Sequence, residues 1–159
     1  MQVFDASSMI HAWDNYPMRQ FPGLWAWTAA QIEAKALMMP RVAFDEVAHK
    51  TPDCSQWLKE HDLGLIEVGN DIAQTAMRIK LELGIVGDKY HAKGVDENDL
   101  LIIATAKIHN VGLVSDESKQ KLPDIPSKRK IPAVCIMQSV GVSCVSFIEY
   151  IKNSDAIFR

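Results

Sequence analysis

The sequence predicts a three-layer α/β/α domain around a central, mainly parallel sheet of about four to five strands. Short apolar segments, such as residues 1–4 and 112–115, have the length and composition of buried strands. Longer segments between them carry apolar residues at the helical period of about 3.6 residues. No internal repeat or Gly/Ser-rich linker interrupts this alternation, so we expect one domain over residues 1–159.

The elements of the first half follow from these patterns and from prolines. Residues 1–4 form the first strand and run into Asp5. Pro22 opens a helix whose apolar positions continue to Met39, and Pro40 ends it. Shorter helical segments follow at residues 42–49 and after Pro52. Residues 63–68 are predicted to form the second strand.

The second half continues the alternation. A helix capped at Asn70 or Asp71 ends at Gly84, and a strong helix covers residues 96–109. Residues 112–115 form a third strand, and residues 116–131 are irregular and basic. We expect a helix from Pro132 through Val140, a final strand at 142–145 and a last helix after Ser146.

Composition limits the function classes. The net charge is −3, so any contact with nucleic acid must come from a local basic patch. The three cysteines are an odd number without C-x-x-C spacing, which indicates a reduced, cytoplasmic setting. The first residues lack the pattern of a signal peptide, and no apolar run approaches about 18 residues, so we expect no membrane association.

Acidic residues stand where the predicted strands end. Asp5 follows the first strand, and Asp116 and Glu117 follow the strand that ends at Ser115. Asp96 and Asp99 open a long apolar helix and lie on one face of it. A sixth candidate, Glu46, lies in the segment that follows Pro40. In parallel sheets, ligands bind outside the carboxyl ends of the strands, so several of these acids could share one rim.

Such a group of carboxylates predicts a divalent cation. Close carboxylates repel each other, which raises a pKa unless a cation intervenes. Ligand sets made only of oxygen select Mg²⁺ or Mn²⁺ over zinc. Structural roles are the alternative: Asp96 as an N-cap, Asp99 as the acid of the same first turn, and Asp116 with Glu117 as an ordinary turn.

The sequence resembles the PIN-domain family of metal-dependent nucleases over nearly its whole length. Family members carry a strand ending in Asp-x-Asn/Ser, a mid-chain Glu, an Asp opening an Ile-Ala-x-Ala helix, and a strand ending in Thr/Ser-x-Asp/Glu. The matching segments are VFDASSMI (3–10), FDEVAHK (44–50), DLLIIATAKIHNVGLVSDES (99–118) and IPAVCIMQSVGVSCVSFIEYI (131–151). The last resembles a branch of stand-alone prokaryotic proteins, similar to ribonuclease toxins of VapC type.

The resemblance implies metal-dependent hydrolysis of RNA. It implies that Asp5, Glu46 and Asp99 are catalytic metal ligands, and it leaves the fourth acid open between Asp116 and Glu117. Polar residues expected to support these ligands are Ser7, Asp96 and Ser115. Ser7 stands where the family more often has Asn, and Glu117 where it more often has Asp, which leaves the metal preference open.

Substrate and partners follow from the same resemblance. The basic segment is the expected RNA contact, through Lys119, Lys121, Lys128, Arg129 and Lys130. The aromatic segment from Trp13 to Trp27 is the expected surface for a cognate antitoxin or a homodimer, although core packing is expected for at least two of its aromatic residues. The alternatives are an inactive PIN-like interaction module and a structure-specific DNA nuclease. A phosphatase of the haloacid-dehalogenase kind would need a second Asp at the position of Ser7.

Overall fold

A computed structural model describes all residues, 1–159, and contains one sheet of five parallel strands. The spatial order of the strands is β3-β2-β1-β4-β5, which places the first strand in the centre. This confirms the predicted α/β fold with a parallel sheet. The strands are β1 (Gln2–Phe4), β2 (Leu37–Pro40), β3 (Gly64–Ile66), β4 (Gly112–Val114) and β5 (Cys144–Val145).

Seven α-helices lie between successive strands, and an eighth follows the last strand. They are α1 (Ala6–Asn15), α2 (Pro22–Glu33), α3 (Arg41–Lys50), α4 (Pro52–Glu60), α5 (Asn70–Glu82), α6 (Glu97–Ile108), α7 (Ile131–Cys135) and α8 (Phe147–Ser154). None of them combines the length and the apolar character needed to cross a membrane.

The pairing of β1 with β4 determines which residues meet at the edge of the sheet. Phe4 pairs with Val114, and the Asp5 backbone N–H donates to the Val114 carbonyl at 3.0 Å. Asp5 and Ser115, which follow these two strands, therefore lie side by side at the carboxyl ends. This is the rim where ligands bind in parallel sheets.

The expected helix from Pro22 to Met39 is wrong in its second half. Helix α2 ends at Glu33, Lys35 turns the chain with a φ of 59°, and Leu37–Pro40 enters the sheet as β2. Ala, Leu, Lys and Met favour helices, but Leu37 and Met39 become completely buried in the strand. The residue before a proline also avoids the helical region. Tertiary burial therefore overrides the local preference.

Three further elements differ from the prediction. Helix α1 was not expected; it begins directly after Asp5, whose carboxylate accepts the Ser8 N–H at 2.9 Å and caps the helix. Helix α7 ends at Cys135 rather than Val140, and the predicted strand at 142–145 is reduced to Cys144–Val145. Local periodicity sets element bounds only approximately, because tertiary contacts decide where each element ends.

Helix α6 fixes the position of Asp99. Five successive residues, 102–106, are buried, so the helix is enclosed by the core on nearly every side. A capping box holds its start: Asp99 N–H donates to Asp96 Oδ1 at 2.8 Å, and Asp96 N–H donates to Asp99 Oδ2 at 3.0 Å. Asp99 thus stands on a rigid element beside the strand ends.

Candidate active site

Four of the predicted acids line one pocket of about 220 Å³. They come from four separate parts of the chain: Asp5 after β1, Glu46 on α3, Asp99 on α6 and Glu117 after β4. Ser7 and Lys50 line the same pocket. The fold therefore brings together carboxylates that are far apart in the sequence.

Asp5 is the most buried of these acids, with 2% of its surface exposed. Ser115 Oγ donates to its Oδ2 at 2.6 Å, and the Ser8 N–H donates to its Oδ1 at 2.9 Å. Ser7 Oγ lies 2.9 and 2.8 Å from its two oxygens and donates to the carboxylate. Burial raises the pKa of Asp5 to about 6, against these hydrogen bonds, and the charge of Glu117 adds to the rise.

The hydroxyls of Ser7 and Ser115 are oriented by the loop after β4. Ser7 Oγ accepts the Asp116 N–H at 3.0 Å, and Ser115 Oγ accepts the Glu117 N–H at 3.2 Å. Because each hydroxyl accepts from the backbone, its own proton is directed to Asp5. Ser7 and Ser115 thus both contact the carboxylate of Asp5.

Asp99 has one oxygen without a partner in the chain. Its Oδ2 accepts the capping-box hydrogen bond from Asp96, while Oδ1 has no hydrogen bond. Burial holds the pKa of Asp99 well above its usual range, and the charges of Glu117 and Asp96 add to this. Asp96 therefore supports Asp99 through the helix cap.

Glu117 is tied to the start of α7. Its Oε2 accepts the Ile131 N–H at 2.9 Å. Burial raises its pKa, the Ile131 hydrogen bond and Lys130 oppose the rise, and the charges of Asp96 and Glu46 add to it. The charges of neighbouring carboxylates thus disfavour ionisation of Asp5, Asp99 and Glu117.

Lys50 is a site residue that the sequence analysis missed. Its Nζ donates to Glu46 Oε1 at 2.7 Å, one helical turn away on α3. Glu46, followed by Asp96 and Asp99, raises the pKa of Lys50. The spacing of Glu46 and Lys50 by four residues on a helix was the available signal.

Asp116 lies outside this pocket although it is next to Glu117. Its Oδ1 accepts the Phe147 N–H at 2.8 Å and caps α8, and its Oδ2 lies 3.6 Å from His11 Nδ1. Successive residues of an extended segment point to opposite sides. The geometry therefore places Glu117, and not Asp116, with the other three acids.

None of the predicted basic residues lines the acidic pocket. Lys119 pairs with Glu149 at 2.9 Å, and Arg129 donates to the Ala133 carbonyl at 3.3 Å beside a different cavity. The positive charge of Lys130 acts to lower the pKa of Glu117. Lys121 is exposed and Lys128 half-buried. Their contact with RNA stays a prediction.

The aromatic segment is mostly packed into the protein. Trp25 is 2% exposed and contacts Trp13 and Trp57 edge to face, with ring centroids 5.4 and 5.1 Å away. Trp27 is half-buried against Tyr150 and Phe158. Core packing of these rings leaves a smaller exposed aromatic surface for a partner than the sequence suggested.

The donor set suits a hard cation, but the acids are not closely converged. No group of three or more His, Cys, Asp or Glu side chains lies close enough together, as arranged here, to hold a metal ion. The carboxylate and serine side chains can ligate a metal only through oxygen, which Mg²⁺ and Mn²⁺ prefer. Mutual repulsion opposes convergence of charged carboxylates, and the ion pair of Lys50 with Glu46 holds one of them to the side.

Comparison with known proteins identifies a family and a fold. Residues 2–158 match the family described as "Domain of unknown function (DUF4411)". No curated protein matches the sequence.

Three solved structures share the fold. VapBC2 from Rickettsia felis, bound to a DNA fragment from its promoter, is 18% identical with a TM-score of 0.51, over 81% of this chain and 96% of that chain. A toxin-antitoxin complex from Klebsiella pneumoniae is 18% identical with a TM-score of 0.50, over 80% and 94%. FitAcB from Neisseria gonorrhoeae is 15% identical with a TM-score of 0.52, over 93% and 99%. The chain therefore belongs to the family described as a domain of unknown function, DUF4411, and has the PIN-like fold that its sequence resembles.

Proposed function

We propose that the protein is a Mg²⁺- or Mn²⁺-dependent endoribonuclease that acts in the cytoplasm as the toxin of a toxin–antitoxin pair. The observation that carries this proposal is the pocket in which Asp5, Glu46, Asp99 and Glu117 meet from four elements. The likeness to chains of toxin–antitoxin complexes supports the toxin role, with a cognate antitoxin and a second copy of the chain as expected partners.

The metal would be held by the carboxylates of this pocket. Asp5 and Asp99 are the principal ligands in the proposal, because each is fixed by hydrogen bonds and Asp99 Oδ1 is unpaired. Glu117 and Glu46 complete the set, and Asp116 is left out. When bound, the cation would supply positive charge to a phosphoryl oxygen and would acidify water for attack on phosphorus.

The protein's own residues prepare the site. Ser7 and Ser115 favour the charged form of Asp5 and fix both of its oxygens. The capping box orients the side chain of Asp99, which lines the pocket from a buried helix. Lys50 compensates part of the negative charge that would otherwise repel a phosphate.

Cleavage of a labelled single-stranded RNA pool tests this proposal. We expect cleavage in MgCl₂ or MnCl₂, none with EDTA, and a loss of at least about 100-fold in Asp99→Asn. Asp71→Asn is the matched control, since Asp71 is an acid in the first turn of α5 and lies outside the pocket. Equal cleavage by Asp99→Asn and the wild type would refute the mechanism.

A non-catalytic interaction module is the second candidate. The observation that favours it is that no three acids converge closely enough for a metal. Calorimetric titration with MnCl₂ separates the two, because a nuclease site must bind the ion and Asp99→Asn must weaken that binding. Structured DNA in the cleavage assay tests the alternative of a DNA nuclease.

A further inference from the structure

A second cavity, of about 390 Å³, opens beside the acidic pocket. It lies between α1 and the first turn of α8, at the carboxyl ends of β4 and β5. Two residues, His11 and Glu117, line both cavities. A ligand with a phosphate at the acidic pocket would therefore place its neighbouring group in this second cavity, whose size falls in the usual range for small-molecule sites.

The charges of the second cavity favour an uncharged group over a phosphate. Its carboxylates are Asp116, Glu117 and Glu149, while its basic residues are Lys119 and His11. Lys119 is already paired with Glu149 at 2.9 Å. The cavity thus has an excess of hydrogen-bond acceptors, which matches the N–H donors of a neutral nucleobase.

Asp116 presents a fixed acceptor to this cavity. Its Oδ1 is occupied by the Phe147 N–H at 2.8 Å. Its Oδ2 lies 3.6 Å from His11 Nδ1, beyond hydrogen-bond distance, and accepts no hydrogen bond in the chain. The side chain is 19% exposed, so its orientation is set by the protein. Carboxylates in nucleic-acid complexes accept from exocyclic amino groups such as that of cytosine.

The rest of the wall suits a base. The half-buried ring of Tyr16 gives the cavity an apolar side, and it packs against the buried ring of Phe147 with the centroids 6.0 Å apart. The exposed amide of Asn15 makes no hydrogen bond within the chain and offers both a donor and an acceptor. Aromatic surface next to adaptable polar groups is the usual composition of sites for single-stranded nucleic acid.

We propose that this cavity binds the nucleoside next to the scissile phosphate and that Asp116 selects bases with an exocyclic amino group over uracil. Uracil presents two carbonyl oxygens beside its single N–H, and these would face the carboxylate unfavourably. This inference rests on the proposed function, because it takes single-stranded RNA as the ligand.

Asp116→Asn is the informative variant. An asparagine keeps an oxygen for the Phe147 N–H, so the cap of α8 is retained. Its amide nitrogen then replaces Oδ2 and turns the acceptor of the cavity into a donor. Asp124→Asn is the matched control, because it removes one negative charge from an exposed position of the neighbouring loop.

Binding of fluorescein-labelled oligo(A), oligo(C) and oligo(U) of equal length, measured by anisotropy in MgCl₂, tests the selection. All proteins carry Asp99→Asn to prevent cleavage. We expect oligo(A) and oligo(C) to bind about fivefold or more tightly than oligo(U), and Asp116→Asn to reverse the order. An unchanged order in Asp116→Asn, or no preference in either protein, would overturn the inference.

Cleavage of the same oligonucleotides by the otherwise wild-type chain separates the two proposals. If Asp116→Asn reversed the binding order but the wild type cleaved none of the oligonucleotides, the base site would be supported and the nuclease function would be wrong. If all three oligonucleotides were cleaved but bound with equal affinity, the base site alone would be wrong. If nothing bound and nothing were cleaved, both would be wrong.

Discussion

Ser115 Oγ donates a 2.6 Å hydrogen bond to Asp5 Oδ2, which joins the ends of two neighbouring strands across 110 positions of sequence. The bond does two things. It fixes one oxygen of the buried acid, and it favours the charged form of Asp5 against burial. The strand register makes it available, because Phe4 pairs with Val114 one residue earlier.

Ser115→Ala should raise the pKa of Asp5 further and weaken the site. Loss of a hydrogen bond to a charged, buried group costs about 1.5–3 kcal/mol of unfolding free energy at neutral pH. The acidic limb of the pH–rate profile should move to higher pH, because Asp5 must be ionised to act as a ligand. Denaturant unfolding and the pH dependence of cleavage measure the two effects.

Ser118→Ala, at an exposed position three residues along, is the control for Ser115→Ala. Ser118→Ala should change neither the unfolding free energy nor the pH dependence of cleavage. An unshifted pH profile in Ser115→Ala would mean that this hydroxyl does not tune Asp5.

In metal-free buffer, the site should make the protein less stable as pH rises. The pKa of Asp5 is about 6 in the folded protein and 3.8 as a free side chain, and that of Asp99 is also raised. The folded state therefore binds more protons than the unfolded state from about pH 4 to above pH 6. The contribution of these two carboxyl groups to the unfolding free energy falls across this range. Urea unfolding in EDTA at several pH values measures the slope.

Asp99→Asn removes one of these raised groups and should reduce the slope. At pH 8 without metal, it should stabilise the protein by on the order of 1 kcal/mol, because a repelling charge is lost. Asp71→Asn supplies the comparison. If the unfolding free energy changed equally with pH in the wild type, Asp99→Asn and Asp71→Asn, the raised pKa of Asp99 would be wrong.

Divalent cations should stabilise the wild type and not Asp99→Asn. A ligand that binds only the folded state at about 100 times its Kd adds about 2.7 kcal/mol to the unfolding free energy. The rise in Tm with MnCl₂ should be greater at pH 8 than at pH 5, since fewer carboxylates are then protonated. Thermal unfolding followed by circular dichroism gives the shift, and an equal rise in Asp99→Asn would place the ion elsewhere.

Lys50→Gln should bind Mn²⁺ several-fold more tightly than the wild type. The ammonium group pairs with Glu46 and competes with a cation for the same negative region. Lys93→Gln, on the exposed loop before α6, is the charge-matched control. Weaker Mn²⁺ binding in Lys50→Gln than in this control would show that Lys50 supports the ion site instead of competing for it.

The sequence predicted the parts of the site that depend on local order. Asp5 directly follows an apolar strand, and Asp99 opens a helix with recognisable capping residues. The sequence also indicated an acid after β4, with Asp116 and Glu117 as the alternatives. Parallel strands then bring their carboxyl ends to one rim. The positions of Asp5 and Asp99 needed no knowledge of tertiary contacts.

The remaining features depend on contacts between distant segments. Strand β2 is formed from residues that favour helix, and it exists because Leu37 and Met39 are buried beside β1. The choice of Glu117 over Asp116 depends on which side of an extended segment faces the pocket. The place of Lys50 depends on how α3 packs near Asp99. Periodicity and spacing carry none of this information.

The central claim is that Asp5, Asp99 and Glu117 hold one divalent ion, and diffraction from crystals soaked in MnCl₂ tests it most directly. We expect an anomalous difference peak in the acidic pocket, about 2.0–2.3 Å from carboxylate oxygens of Asp5 and Asp99. A pocket that stays without a peak at saturating Mn²⁺, or an ion bound at another place while RNA is still cleaved, would contradict it.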